Sequence, residues 1–141
     1  MTPTNPLLAP LVALAAWSMV MWLWMYVTRL PAMRRARMKP DSNAPRGEQM
    51  NLLPPPVRWK ADNYNHLMEQ PTLFYAVVLA LVLAGGGSGA EVALAWAYTG
   101  LRVVHSLVQA LVNRIEVRFV LFILSSLALI GLIVAAAQRV F

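Results

Sequence analysis

The chain has 141 residues, of which 59% are hydrophobic and 13% are charged, and its formal net charge is +6. Its mean hydropathy of +0.56 lies far above that of soluble proteins, so we predict an all-α integral membrane protein with a single domain, residues 1–141. The absence of cysteine excludes disulfides and a cysteine nucleophile, and two histidines give little basis for a metal site, so we predict none. Most basic residues cluster between Arg29 and Lys60 without interleaved stacking aromatics, which favours lipid head groups over nucleic acid.

Four stretches are long and apolar enough to cross a hydrocarbon core of roughly 30 Å. They predict a four-transmembrane-helix bundle with spans at about residues 7–28, 57–84, 90–112 and 119–140. Loop 29–56 and the turn that holds Arg114 and Arg118 are basic, whereas the glycine-rich turn 85–89 is uncharged. By the positive-inside rule, the basic loops lie in the cytoplasm and both termini lie outside.

Two proline-containing regions predict interruptions of helical structure. Loop 29–56 is long, and its prolines and glycine interrupt helical structure. It is either a solvated connector held to lipid by arginines or a lid or docking segment. Pro71 lies inside the second span, where it removes the hydrogen bond to the carbonyl of Leu67 and predicts a kink next to Glu69.

The second and third spans each carry a stripe of polar residues at helical spacing. The stripes are Arg58, Asp62, Asn65 and Glu69, and Tyr98, Arg102, Ser106, Gln109 and Asn113, with His105 at the edge of the second. Counted from the cytoplasmic ends at 1.5 Å per residue, Glu69 and Arg102 both lie roughly 18 Å deep. An unpaired charge at that depth costs at least about 2.5 to 3.5 kcal/mol, so the two side chains are candidates for an ion pair.

We therefore expect the two stripes to face each other, within one protomer or across a subunit boundary. One interpretation is a hydrogen-bonding seam that holds helices together in lipid. The other is a polar pocket open to the cytoplasm, with Arg58, Arg114 and Arg118 at its mouth to receive an anionic ligand. The excess of arginine at this end favours the pocket.

Two stretches resemble the MAPEG family, the membrane-associated proteins of eicosanoid and glutathione metabolism. One is Arg58 through Asn65, Glu69, Pro71 and Phe74; the other is Leu101-Arg102-Val-Val-His105-Ser106, followed by Asn113 and Arg118. The resemblance implies a bacterial inner-membrane protein, a homotrimer of four-helix protomers. It implies a glutathione-dependent transferase or peroxidase, with glutathione as co-substrate between adjacent protomers, no metal, and a lipophilic electrophile taken from the lipid bilayer.

The resemblance also assigns roles to individual residues. The glutathione-binding set is Arg58, Asn65, Glu69, Arg102 and His105. Arg118 or Arg114 would stabilise the glutathione thiolate as the catalytic group, because a neighbouring guanidinium lowers a thiol pKa. For Glu69, a structural ion pair with Arg102 is an equal alternative to ligand binding. A non-catalytic subunit or assembly factor of a larger membrane complex is the alternative to an enzyme.

Overall fold

A computed structural model describes residues 4–45 and 47–141. This part of the chain consists of helices, turns and loops and contains no strand, which confirms the predicted all-α class. The helices are α1 (Leu8–Arg35), α2 (Glu48–Asn51), α3 (Pro55–Leu67), α4 (Gln70–Leu83), α5 (Gly89–Leu111) and α6 (Ile115–Val140).

Three helical stretches are long and apolar enough to cross a membrane, namely Leu8–Arg35, Pro55–Leu83 and Ile115–Val140. The 23 residues of α5 have the length of a span, but Arg102, His105 and Gln109 interrupt its apolar sequence. The three apolar stretches indicate a membrane protein, as the composition predicts.

The long helix with the most buried polar residues, α5, lies at the centre of the bundle. α1, α3 and α6 all pack against α5, while α4 packs against α6 and α1. The buried side chains of α5 include Tyr98, Arg102, His105, Ser106 and Gln109, so its polar stripe faces the interior of the protomer. In lipid, close packing and interhelical hydrogen bonds hold helices together, and this arrangement supplies both.

The second apolar stretch is broken between α3 and α4. Glu69 has backbone angles of φ −92° and ψ −99°, outside the helical region. Pro71 has no N–H to donate to the carbonyl of Leu67, and the backbone N–H and hydroxyl of Thr72 instead donate to the carbonyl of Glu69 at 3.1 and 2.6 Å. The kink predicted from Pro71 is thus confirmed, as a complete interruption of the helix.

The glycine-rich turn, Asn5 before α1 and the last turns of α6 meet at one end of the bundle. Gly85 adopts φ +73° after α4, and the N–H of Gly86 donates to the carbonyl of Leu81 at 2.7 Å, which closes the helix. The side-chain amide of Asn5 donates to the carbonyl of Gly86 at 2.7 Å. Glu91 at the start of α5 accepts from Arg139 Nε near the end of α6, also at 2.7 Å.

Loop 29–56 and the turn between α5 and α6 lie at the opposite end. Lys60 Nζ on α3 donates to the carbonyl of Ala110 in the last turn of α5 at 3.4 Å. Arg29 Nε on α1 donates to the thioether sulfur of Met50 on α2 at 3.2 Å, which holds part of the loop against the helices. Of the predicted site residues, Arg58, Arg114 and Arg118 belong to the outer turns at this end. Asn65 lies deeper, in the last turn of α3, and Glu69, Arg102 and His105 also lie deeper on their own segments.

Candidate functional site

The polar stripe of α3 points away from the centre of the bundle. Its members are exposed or half-buried, namely Arg58, Asp62, Asn65 and Glu69. The opposite face of α3 carries the buried residues Lys60, Asn63 and Leu67, which pack towards α1 and α5. The expectation that the two stripes face each other within one protomer is therefore wrong, because packing has rotated α3 so that a different set of residues meets α5.

Part of this exposed stripe lines a cavity of about 280 Å³ between α1, α2 and α3, which we call the arginine cavity. Its polar lining consists of two arginines, one acid and two amides, namely Arg29, Arg58, Asp62, Asn51 and Asn65. Among the described residues Arg29 donates only to the sulfur of Met50, a weak acceptor, and Arg58 makes no side-chain hydrogen bond, with its Nε buried and its outer nitrogens unpaired. Both guanidinium groups thus retain capacity for an anionic ligand.

The stripe of α5 is a hydrogen-bonded seam. Asn63 Nδ2 donates to Ser106 Oγ at 2.7 Å. The rise of 1.5 Å per residue that sets Glu69 level with Arg102 also sets Asn65 level with Ser106, so the observed partner lies two residues earlier than depth counting predicts. Lys60, next to this pair, donates to the carbonyls of Pro56 and Ala110. For this helix the structure supports the interpretation of the stripe as helix contact.

Arg102 is a fully buried cation in this seam. Its guanidinium carbon lies 5.2 Å from the ring centroid of Tyr98 and 5.0 Å from that of Phe122. Its NH1 approaches Nε2 of His66 at 3.4 Å, and Nδ1 of His66 lies 3.3 Å from the carboxylate of Glu69. Because a guanidinium can only donate, Nε2 accepts and Nδ1 carries the proton that faces Glu69.

The expected direct pair between Glu69 and Arg102 is therefore not formed. The break after α3 turns the Glu69 side chain outwards, where it is 70% exposed. His66, three residues earlier on the helix, connects the two charged groups instead. Glu69 thus contacts neither Arg102 nor the arginine cavity in this structure.

A second opening, of about 430 Å³, lies between α3, α5 and α6, and we call it the Arg118 groove. Its lining residues are His66, His105, Ile115, Arg118, Phe119 and Phe122. The rings of His66 and His105 stack with centroids 4.9 Å apart and planes inclined by 28°. The lining is thus mainly aromatic, with one permanent cation.

Asn113 holds Arg118 in position. It adopts a left-handed conformation, φ 54°, where the chain reverses between α5 and α6. Its side-chain oxygen accepts a hydrogen bond from NH1 of Arg118 at 2.6 Å, while Nε of Arg118 is buried without a partner in the described part of the chain. Arg114, the other candidate for thiolate stabilisation, is exposed at the start of α6 and lines neither opening.

The predicted site residues therefore fall on two separate surfaces of one protomer. Arg58 and Asn65 line the arginine cavity, whereas His105 and Arg118 line the groove, with Arg102 behind its aromatic lining. Sequence patterns missed two contributors. Arg29 is the first charge after an apolar run, and His66 stands three residues before Glu69; both signals are visible only in retrospect.

Comparison with protein families matches residues 7–138, nearly the whole chain, to the MAPEG family. Searches among curated proteins and among solved structures give no match.

Proposed function

The chain belongs to the MAPEG family, and on this premise we propose that it is a membrane glutathione transferase that directs the glutathione thiolate against electrophiles dissolved in the bilayer. In this proposal α1, α3 with α4, α5 and α6 form four spans. The end of the bundle that holds the basic loops and the arginine cavity faces the cytoplasm, and both termini lie outside. Soluble glutathione and a lipid-dissolved electrophile can then reach the same protein from two phases.

The division of the cations between two surfaces supports this function. Glutathione has an ammonium group and a carboxylate on its γ-glutamyl end, a second carboxylate on its glycine end, and a thiol on the cysteine between them. Arg29 and Arg58 can pair with the carboxylates, and Asp62 with the ammonium, in a cavity that also offers amide groups. A thiol that projects from this cavity needs a further cation, and Arg118 lies on a different face of the same protomer.

We therefore place the complete site between two copies of the chain. The arginine cavity of one copy would bind the peptide, and the Arg118 groove of the next copy would receive the thiol. An interface that joins two different faces closes into a ring when the rotation between copies permits, and three copies would build three such sites. The outward stripe of α3, with Asp62, Asn65 and Glu69 exposed, is the surface that such a contact would cover.

Arg118 is the group that would activate the thiol. A free cysteine thiol has a pKa of about 8.5, and a guanidinium beside it lowers this value, so a larger fraction is thiolate at neutral pH. The thiol proton leaves to water, and the sulfur attacks the electrophile to form a thioether. The bond from the attacked carbon to its leaving group breaks, and the leaving group departs with the electron pair. Asn113 holds NH1 of the Arg118 guanidinium, whereas NH2 has no hydrogen bond in the described part of the chain and can face the sulfur.

Glutathione binding and conjugation in detergent test this function. We expect calorimetric binding of glutathione and its conjugation to chlorodinitrobenzene. Removing one electrostatic group of this kind typically lowers kcat by about 10² to 10³, so Arg118→Ala should lose most activity. Arg34→Ala, an exposed arginine outside both openings, is the matched control and should keep wild-type rates.

The contrary result is equally specific. Absence of glutathione binding at millimolar concentration, together with no conjugation, would contradict a transferase function. Co-purification with a larger membrane complex in fixed stoichiometry would then support the non-catalytic alternative.

A further inference from the structure

We propose that the Arg118 groove selects planar aromatic electrophiles over alkyl electrophiles, and that Phe119 sets this preference. The inference rests on the proposed function, because it concerns the second substrate of that reaction.

The shape and composition of the groove favour a flat ring. Four lining residues carry aromatic rings, namely Phe119, Phe122, His66 and His105, and Ile115 is the aliphatic member. Rings that stack in offset or edge-to-face geometry gain roughly two- to twelvefold in affinity for each contact beyond the effect of buried area. A straight alkyl chain gains the area term alone, so the lining discriminates between the two classes.

The charges around the groove favour the same class. When the thiolate attacks chlorodinitrobenzene, a C–S bond forms at the carbon that bears chlorine, and an electron pair spreads over the ring and nitro groups. The C–Cl bond then breaks, and chloride leaves with the pair. Arg118 lines the groove, and no carboxylate belongs to its described lining. A fixed cation therefore faces the negative charge as it develops.

Opening of an alkyl epoxide makes a different demand. The C–S bond forms while a C–O bond breaks, and the full charge collects on one alkoxide oxygen that must receive a proton. The lining residues contain no hydroxyl group, and the proton on Nδ1 of His66 faces Glu69. Among the described lining residues the alkoxide thus finds no hydroxyl or carboxyl proton donor, and the imidazole of His105 and the guanidinium of Arg118 are the remaining N–H donors.

Phe119 is the residue through which this preference can be tested. Phe119 and Ile115 stand at the rim, 62% and 73% exposed, where a substrate would enter from lipid. Phe122 lies deeper and contacts the His66 ring at 5.6 Å and the Arg102 guanidinium at 5.0 Å, so its loss would disturb the seam as well. Phe119 makes neither of these contacts, so its substitution leaves the hydrogen-bonded seam around Arg102 undisturbed.

The experiment compares the full-length protein in detergent with Phe119→Leu and the matched control Phe141→Leu, whose phenylalanine is fully exposed at the far end of α6. For each, kcat/KM is measured with glutathione and either chlorodinitrobenzene or epoxyoctane. We expect the aryl-to-alkyl ratio to fall about fivefold in Phe119→Leu, the size of one stacking contact. The ratio should stay unchanged in Phe141→Leu.

A binding measurement separates this inference from the proposed function. Unreactive dinitrotoluene should bind the wild-type protein about fivefold more tightly than Phe119→Leu, even without glutathione. Equal aryl-to-alkyl ratios in an active wild type and Phe119→Leu would overturn the preference while leaving the transferase function intact. Failure to conjugate either electrophile would overturn the function, and dinitrotoluene binding that does not depend on Phe119 would overturn the inference.

Discussion

His66 should stabilise the protein chiefly through Arg102. Arg102 is fully buried, and its one hydrogen-bond acceptor among the described residues is Nε2 of His66, at 3.4 Å. Two further nitrogens of the same guanidinium, Nε and NH2, have no partner in that part of the chain. His66→Ala removes the acceptor and leaves the buried cation to the rings of Tyr98 and Phe122 alone.

The expected loss follows from the type of bond. Hydrogen bonds to charged groups contribute about 1.5 to 3 kcal/mol, and the long 3.4 Å contact favours the lower end of this range. At about 2 to 4 °C for each kcal/mol in a chain of this size, the apparent Tm of His66→Ala should fall by about 3 to 6 °C. The assay is thermal unfolding in one detergent, followed by tryptophan fluorescence.

A double-mutant cycle isolates this contribution from the lost stacking on His105. Arg102→Met removes the charge but keeps an apolar side chain between the two rings. In that background His66→Ala should cost about 1.5 kcal/mol less than in the wild type, because no cation is left unpaired. Equal losses in both backgrounds would show that His66 acts through packing and would refute the role assigned to the bond.

Other substitutions test the turns and the placement of Arg118. An alanine Cβ at Gly86 would lie 2.7 Å from the carbonyl oxygen of Leu81, so Gly86→Ala should lower the free energy of unfolding by roughly 1 to 3 kcal/mol, measured by thermal unfolding. Gly89→Ala is the control and should leave Tm unchanged, because its Cβ would meet open space. Asn113→Gly keeps the left-handed turn but removes the side chain that accepts a hydrogen bond from Arg118. We expect kcat/KM for glutathione conjugation to fall about tenfold while Tm stays nearly unchanged. An unchanged kcat/KM would contradict the positioning role of Asn113. Glu91→Gln weakens contacts to Gly87, Ser88 and Arg139 and should lower the free energy of unfolding by about 1 to 3 kcal/mol in the same assay. Glu116→Gln is the control, because Glu116 is exposed in the first turn of α6.

Local patterns in the sequence predict much of the helical structure. Helical periodicity places Arg58, Asp62 and Asn65 on one face of α3, and the burial pattern of the structure agrees. Pro71 predicts the interruption beside Glu69, because the missing N–H acts within one helical turn. These features depend on residues close together in the chain, so a single sequence is sufficient to find them.

Contacts between helices are less accessible to the same reasoning. Depth counting assumes straight helices of ideal rise, and the break at Glu69 together with the rotation of α3 shifts the partner of Ser106 from Asn65 to Asn63. The same shift gives Arg102 a contact with His66 in place of Glu69. Arg29 was missed because its neighbour in the arginine cavity is set by the path of loop 29–56, which no periodic pattern encodes.

A complementation experiment tests whether the site forms between copies of the chain. Arg58→Ala and Arg118→Ala each remove one half of the proposed site, and each variant alone should be nearly inactive in glutathione conjugation. When the two are co-expressed and assemble at random into rings of three, every mixed ring contains one site with both arginines. Activity should then return to about a quarter of the wild-type value. Co-expressed protein no more active than the two variants measured separately would contradict a site shared between protomers.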